Sequence, residues 1–208
     1  MSNISSNTKN RLPFYLEYLN KIYNEGQVNV SSNGIASALN LGEVQVRKDI
    51  ASVSSSGRPK VGYDVAKLIK DLEEFLGYRD EDDAVIFGAG KLGTALLDYP
   101  GFKDCGLNIV GAFDTDQAKQ GVSESGKIIA DISEFEEFNK KNQVKIGILC
   151  VPDEYAQEVC NLMIKNGIKA ILTFSQAHLE LPEDIIVKNE NLAYSLALLS
   201  IELKSKHR

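Results

Sequence analysis

The stretch AVIFGAGKLGTALL, residues 84–97, sets three glycines, Gly88, Gly90 and Gly93, between an apolar run and a helix-forming one. The run before them reads as a strand and the run after them as the start of a helix. In a strand–turn–helix frame each glycine has a mechanical reason. Gly88 permits the tight turn, Gly90 lets the backbone approach a pyrophosphate, and Gly93 lets the helix pack closely on the strand. The helix N-terminus adds free N–H groups and the positive end of its dipole. The candidate dinucleotide cradle is therefore the whole loop: Gly88, Ala89, Gly90, Lys91, Leu92 and Gly93. The competing reading is a glycine turn in an α/β domain that binds nothing.

Downstream, LNIVGAFD reads as a second strand and ends at Asp114, 21 residues beyond Gly93. A carboxylate at the end of that strand can accept hydrogen bonds from both ribose hydroxyls of NAD, and it repels a 2′-phosphate. The following residues, TDQ, supply no Arg or Lys to offset the charge, so NAD+/NADH is expected rather than the phosphorylated dinucleotide. Further strand-like runs (VKIGILCV, KAILTF, IIVKN) alternate with helix-like runs (SEFEEFNKK, DEYAQEVCNLMIKNG, ENLAYSLALLSIELKSK). Such alternation implies right-handed crossovers and a parallel sheet with helices on both faces.

Binding alone does not make a dehydrogenase, which needs a proton donor or acceptor beside the carbon that exchanges hydride. Two histidines exist: His207 in the charged tail KSKHR, and His178 in a loop after a strand-like run. Tyr63 and Lys67 match the Y-x-x-x-K spacing of short-chain dehydrogenases, but they precede the glycine loop instead of following it. No histidine–carboxylate pair and no metal-ligand spacing is legible. No catalytic residue and no metal site is therefore expected.

Upstream of the glycines the pattern changes. RLPFYLEYLNKIYNEG places Leu12, Tyr15, Leu16, Leu19, Ile22 and Tyr23 on one helical face, with Pro13 near the first turn and Gly26 as the stop. SSNGIASALNLG follows with Ser32 or Asn33 as N-cap, and EVQVRKDIASV then spaces Val44, Ile50 and Val53 for burial. A helix, a turn at Gly42 and a second helix with outward Gln45, Arg47 and Lys48 make a helix-turn-helix pattern. Gln can read adenine, Arg guanine, and Lys suits phosphates. The loop SGRPKVGY adds Arg58 and Lys60 around Pro59, suited to a wing on the DNA backbone. A small helical dimerisation domain with solvated basic residues fits the same pattern. A helix from about Asp64 to Gly77 closes this half.

The chain of 208 residues has a formal net charge of -6, which at first disfavours a nucleic-acid partner. The acidity is unevenly placed: residues 1–80 hold ten Lys+Arg against nine Asp+Glu, and the remainder thirteen against twenty. Local basic clusters matter more for phosphate contact than the total. No apolar stretch is long enough to span a bilayer, and the N-terminus lacks the apolar core of a secretory signal. The odd count of cysteines, Cys105, Cys150 and Cys160, with no C-x-x-C pair, points to reduced, buried thiols in a cytoplasmic protein.

Taken in order, RLPFYLEYL, QVRKDI, KVGYDV, FGAGKLGTALLDYPGF, AFDTD and LCVPDEYAQEV resemble the Rex-type redox-sensing transcriptional repressors, from about Arg11 to Leu203. The resemblance implies an N-terminal winged helix-turn-helix domain over residues 1–79, a Rossmann-like parallel-sheet NAD(H)-binding domain over 80–188, and a C-terminal dimerisation helix over 189–208. It further implies a homodimer in which that helix is exchanged between subunits, operator binding compatible with NAD+, and release by NADH. Tyr99 matches a tyrosine near the nicotinamide, and Val151 and Pro152 match a turn bordering the cofactor. Leu192, Leu196, Leu199 and Leu203 form an apolar stripe that fits the exchanged helix, or equally one covering its own sheet.

The chain also departs from its relatives. Some carry an arginine where Glu17 stands and an aspartate then phenylalanine at Asn191 and Leu192, groups that couple redox state to domain orientation. TFSQ at Thr173–Gln176 replaces a more usual NFAP. The rival functions are an NAD-dependent oxidoreductase with an accessory N-terminal domain, and a nucleotide- or CoA-binding regulatory subunit.

Overall fold

The structure, a computed structural model, describes residues 4–59 and 61–206. The chain divides into two compact units, one ending at Asp80 and one beginning at Glu81.

The first unit comprises α1 (Ser6–Asn24), β1 (Asn29–Val30), α2 (Ser32–Ala38), α3 (Glu43–Ala51), β2 (Tyr63–Asp64) and α4 (Val65–Leu76). Its core joins Leu12, Tyr15, Leu16 and Leu19 of α1 to Ile35, Val46, Ile50, Leu68 and Leu72. Each such buried Leu or Ile contributes roughly 1.5–3 kcal/mol. Helix α1 starts earlier than its apolar pattern does, because Ser5 caps it by accepting from Thr8 N at 3.2 Å. Pro13 consequently lies inside the helix rather than in its first turn, and Tyr23 is half exposed.

Two local expectations are corrected and one holds. The N-cap of α2 is Ser31, whose Oγ accepts from Gly34 N at 3.0 Å, not Ser32 or Asn33. Gly42 lies in the α2–α3 turn as expected, at the N-cap of α3, and the left-handed residue of that turn is Asn40, at φ 52°. Val44 is exposed: α3 turns Val46, Asp49 and Ile50 inward, and Val44 projects from the opposite side of so short a helix. The wing is a real hairpin, in which Arg58 and Gly62 exchange backbone hydrogen bonds of 2.8 and 2.9 Å. Its return strand pairs β2 with β1, Tyr63 opposite Val30.

The second unit runs β3 (Asp82–Phe87), α5 (Lys91–Leu97), β4 (Leu107–Asp114), β5 (Gly121–Val122), β6 (Ile128–Asp131), α6 (Phe135–Asn142), β7 (Ile146–Leu149), α7 (Asp153–Lys165), β8 (Ala170–Thr173), β9 (Ile186–Asn189) and α8 (Leu192–Lys206). The sheet order is β5-β6-β4-β3-β7-β8-β9, parallel except for β5. Successive residues of β3 serve opposite faces. Val85 and Phe87 pack with Phe113, Phe135, Leu149 and Met163, while Ala84 and Ile86 pack with Leu97, Ala112 and Ile148. Phe135 stands edge-on to both Phe87 and Phe113, with ring centroids 4.7 and 5.0 Å apart.

The β5–β6 pair has no counterpart in the strand-like runs read from sequence, and β5 is only two residues long. Helix α8 settles the alternative left open above. Every residue of 192–205 is exposed, so the apolar stripe does not cover the sheet of its own chain.

Candidate functional site

The order of the parallel strands reverses direction between β3 and β7, the place where open α/β sheets leave a crevice outside the carboxyl ends of their strands. A cavity of about 750 Å³ lies there. Gly88 and Gly90 border it from the β3 end, Asp114 and Asp116 from the β4 end, and Cys150 to Asp153 from the β7 end. Phe174 and Ser175 close it after β8, and Tyr155 and Val159 of α7 form an apolar wall.

The glycine loop is held open by backbone geometry. Gly88 sits at φ +96°, and a Cβ there would lie 2.6 Å from the Cys150 carbonyl oxygen. A Cβ at Gly93 would run into the Gly88 carbonyl oxygen, so only glycine lets α5 pack this closely. Gly90 faces open space and offers α5 no side-chain cap. Leu92 borders the cavity; Ala89 is buried beneath it, and Lys91 points to solvent.

Asp114 is buried, and both its carboxylate oxygens are engaged. Oδ2 accepts from Ala89 N at 2.7 Å, and Oδ1 accepts from Asp116 N at 2.9 Å. Lys119 Nζ lies 3.3 Å from Oδ2. Burial works to raise this carboxyl, but the N–H groups of Asp116 and Ala89 and the Lys119 ammonium outweigh it and hold the group below the usual carboxylate range. This corrects the premise that no cation offsets Asp114. TDQ itself carries none, but the 3₁₀ turn Gln117–Lys119 brings Lys119 back over the strand end.

Tyr99 is not brought to this cavity. It is half exposed, stands edge-on to Phe102, and borders a smaller pocket of about 190 Å³ with Lys103 and Lys127. His178 is exposed and borders none of it, and His207 lies outside the described residues. The Cys150 thiol in the cavity wall is pushed up to about 12 by burial, so it stays protonated. Tyr63 and Lys67 belong to the other unit, with the tyrosine buried and Lys67 paired to Asp71 at 3.0 Å. No group of three metal-ligating side chains occurs among the described residues.

In the first unit, Gln45, Arg47 and Lys48 form an exposed face on α3, and Arg58 is exposed at the hairpin. Lys60 lies outside the described residues. Beneath that face, Asp49 is buried and tied to α1. It accepts from Arg11 Nε at 2.8 Å and Nη2 at 2.9 Å, from Tyr15 Oη at 2.7 Å and from Thr8 Oγ1 at 3.0 Å. Gln45, with its amide oxygen turned inward, accepts from Arg11 Nη1 at 3.0 Å. One buried acid thus fixes the pitch of α3 while leaving its basic residues outward.

The family described as "CoA binding domain" matches residues 79–177, and "Putative DNA-binding protein N-terminus" matches residues 3–51. Over 196 residues the chain is 40% identical to the redox-sensing transcriptional repressor Rex of Treponema denticola, covering 94% of this chain and 93% of that one. It is 40% identical over 192 residues to the Rex of Bacteroides thetaiotaomicron, covering 92% and 87%. The chain belongs to the Rex family.

Among solved structures, the Rex-family repressor RSP in complex with beta-NAD+ and operator DNA is similar at a TM-score of 0.91 and 30% identity, covering 100% of this chain and 95% of that one. RSP in complex with beta-NADH is similar at a TM-score of 0.88, again with 30% identity, covering 100% and 97%. The winged helix-turn-helix and Rossmann-like parallel sheet expected of a Rex chain are both present. Sequence reasoning missed Lys119, Asp153, Tyr155 and Ser175 at the cavity of the second unit and Asp49 in the first. Lys119 needed the 3₁₀ turn that folds it back, and Asp49 of QVRKDI stood out only as an acid within a basic run.

Proposed function

We propose that this chain represses transcription as a homodimer that binds operator DNA through its first unit and NAD+ or NADH through its second. The loop Gly88–Gly93 takes the pyrophosphate and Asp114 the adenosine ribose, with Val151 and Pro152 bordering the nicotinamide half. Gln45, Arg47, Lys48, Arg58 and Lys60 contact DNA. Helix α8 joins the two protomers by exchange, Tyr99 meets the nicotinamide in that assembly, and the protein works in the cytoplasm beside its operator.

The observation that carries this reading is the pairing of a cavity at the β3–β7 switch with an exposed basic helix, in a chain similar over its full length to RSP bound to beta-NAD+ and operator DNA. Sensing is a difference of affinities: NADH favours the DNA-free arrangement, and NAD+ is compatible with the bound one. In this reading the protein is a repressor and not an enzyme, as the Rex relatives it resembles are named; among the described residues the cavity is lined by no histidine.

The match to a CoA-binding family favours one second reading, in which CoA occupies the cavity. Asp114 disfavours it, since a phosphate on the adenosine ribose would meet a buried carboxylate. Fluorescence anisotropy on promoter DNA, titrated with NADH, NAD+ and CoA, tests both. Release by NADH at concentrations where NAD+ and CoA have little effect is expected. DNA binding indifferent to cofactor redox state overturns the sensor.

A further inference from the structure

The charges that line the cavity are divided between its two sides. Asp114, Asp116 and Lys119 gather at the β4 end, where the lysine lies 3.3 Å from Asp114 and 3.7 Å from Asp116. On the far side of the glycine loop, where β7 and β8 end, the charged group is Asp153, the first residue of α7. Among the described residues no lysine or arginine lines the cavity there. Glu158 borders the cavity from further along α7.

Asp153 is held in place. Its Oδ1 accepts from Ser175 Oγ at 2.7 Å and from Gln176 N at 2.9 Å, and Ser175 is buried in the loop after β8. The Ser175 hydroxyl first, and then the Gln176 N–H, hold the carboxyl below the usual carboxylate range, so it is charged at neutral pH.

If the glycine loop takes the pyrophosphate and Asp114 the adenosine ribose, the nicotinamide half of the dinucleotide runs to the opposite side of the switch point, along the ends of β7 and β8. On that reading of the cavity, we propose that Asp153 distinguishes NAD+ from NADH by the charge of the nicotinamide ring, and thereby helps set the NADH/NAD+ ratio at which the protein responds. The ring is cationic in NAD+ and neutral in NADH. A fixed carboxylate on the ring's side of the cavity attracts the first and is nearly indifferent to the second. Asp153 is open to solvent, which screens it and keeps the preference modest. NAD+ held more firmly competes better with NADH, so a higher NADH/NAD+ ratio is needed to displace it.

The test separates charge from structure. Asp153→Asn removes the charge and keeps an oxygen that can accept from Ser175 and Gln176. Glu158→Gln removes a charge from the same cavity, five residues and so about 7.5 Å further along the helix axis. ADP-ribose, which lacks the nicotinamide, reports whether the rest of the site is intact. Calorimetry on the full chain measures NAD+, NADH and ADP-ribose at low and high salt.

In Asp153→Asn the NAD+ affinity is expected to fall about threefold to tenfold at low salt, with NADH and ADP-ribose within about twofold of the parent. The gap should narrow at high salt. Glu158→Gln should move NAD+ and NADH together. An unchanged ratio of NAD+ to NADH affinity in Asp153→Asn overturns the proposal. Equal losses for all three ligands do the same, because they mark a merely structural residue. So does a Glu158→Gln shift of the ratio as large as that of Asp153→Asn. A parent that binds none of the three ligands fails the dinucleotide reading and the proposal with it, and the loss of ADP-ribose identifies that case.

Discussion

The backbone N–H of Ala89 donates to Asp114 Oδ2 at 2.7 Å, so the glycine loop and the end of the second strand share one buried carboxylate. Lys119, 3.3 Å from the same oxygen, completes the cluster. Asp114 thus fixes the glycine loop, and in the proposed function its remaining acceptor capacity goes to a ribose.

Asp114→Ala should therefore cost more NADH affinity than a lost ribose contact alone, on the order of tenfold or more, since a carboxylate hydrogen bond is worth about 1.5–3 kcal/mol. Lys119→Ala separates charge from geometry. It should leave NADH binding within a few-fold of the parent and weaken NADPH further, because the one cation able to offset a 2′-phosphate is gone. Calorimetry with both dinucleotides decides. Equal NADH binding in Asp114→Ala and parent removes Asp114 from the site.

Lys48→Ala and Arg47→Ala should weaken operator binding without unfolding the domain, since both side chains are exposed on α3. If Lys48 neutralises one phosphate, the slope of log affinity against log salt should fall by about 1. An unchanged slope places Lys48 off the DNA.

The Arg11–Asp49–Tyr15 cluster gives the first unit a pH signature. Burial works to raise Asp49, but bonds from Arg11, Tyr15 and Thr8 outweigh it and hold the carboxyl below its ordinary value of 3.8. A carboxyl depressed in the folded state stabilises at every pH above its unfolded value and gives that up as pH falls through the folded one. Tyr15 is pushed up to about 12, chiefly by burial and then by Asp49, so its contribution is whole below its ordinary value of 10.0 and is lost toward 12. Thermal melts should show stability falling below about pH 4 and again above about pH 10. Asp49→Asn should remove most of the acid limb and cost about 1.5–3 kcal/mol at neutral pH by taking the counter-charge from Arg11. A melt independent of Asp49 between pH 2 and 5 contradicts this.

Gly93→Ala places a methyl group against the Gly88 carbonyl oxygen. The second unit should lose about 1–3 kcal/mol, and dinucleotide binding should weaken as the loop shifts. Melting with and without NADH reads both effects at once, and a variant as stable and as responsive as the parent refutes the close packing.

Leu196 and Leu199 are each more than half exposed on α8. Charged replacements there, Leu196→Asp with Leu199→Asp, should leave the two units folded and convert a dimer to monomer in sedimentation. If the sedimentation of the variant matches the parent, α8 is not the joining surface.

Much of the fold could be read from local pattern. The strand before Gly88 and the strand ending at Asp114 are apolar runs bounded by glycine and acid, and both form as expected. The expectations that failed did so where local signal is weak or misplaced. Strand β5, two residues long, is too short to show a period. Ser5 caps α1 ahead of any apolar residue, which carries Pro13 into the helix. Val44 counts as apolar by type but faces away from the core, because a helix of nine residues has only about two turns in which to choose its side.

The sequence by itself determined most of the order of elements, the β5–β6 pair excepted, with the glycine loop and the acid that follows it, because these depend on neighbouring residues and on backbone conformations only glycine adopts readily. Only the tertiary structure decided which groups share those sites. Lys119 reaches Asp114 through a turn, Asp49 gathers donors from a helix about forty residues earlier, and Asn191 meets Gln176 across a strand. It also showed α8 uncovered by its own chain. Hydrogen bonds and burial depend on distances in space, and sequence separation carries no record of those until the sheet and helices have closed.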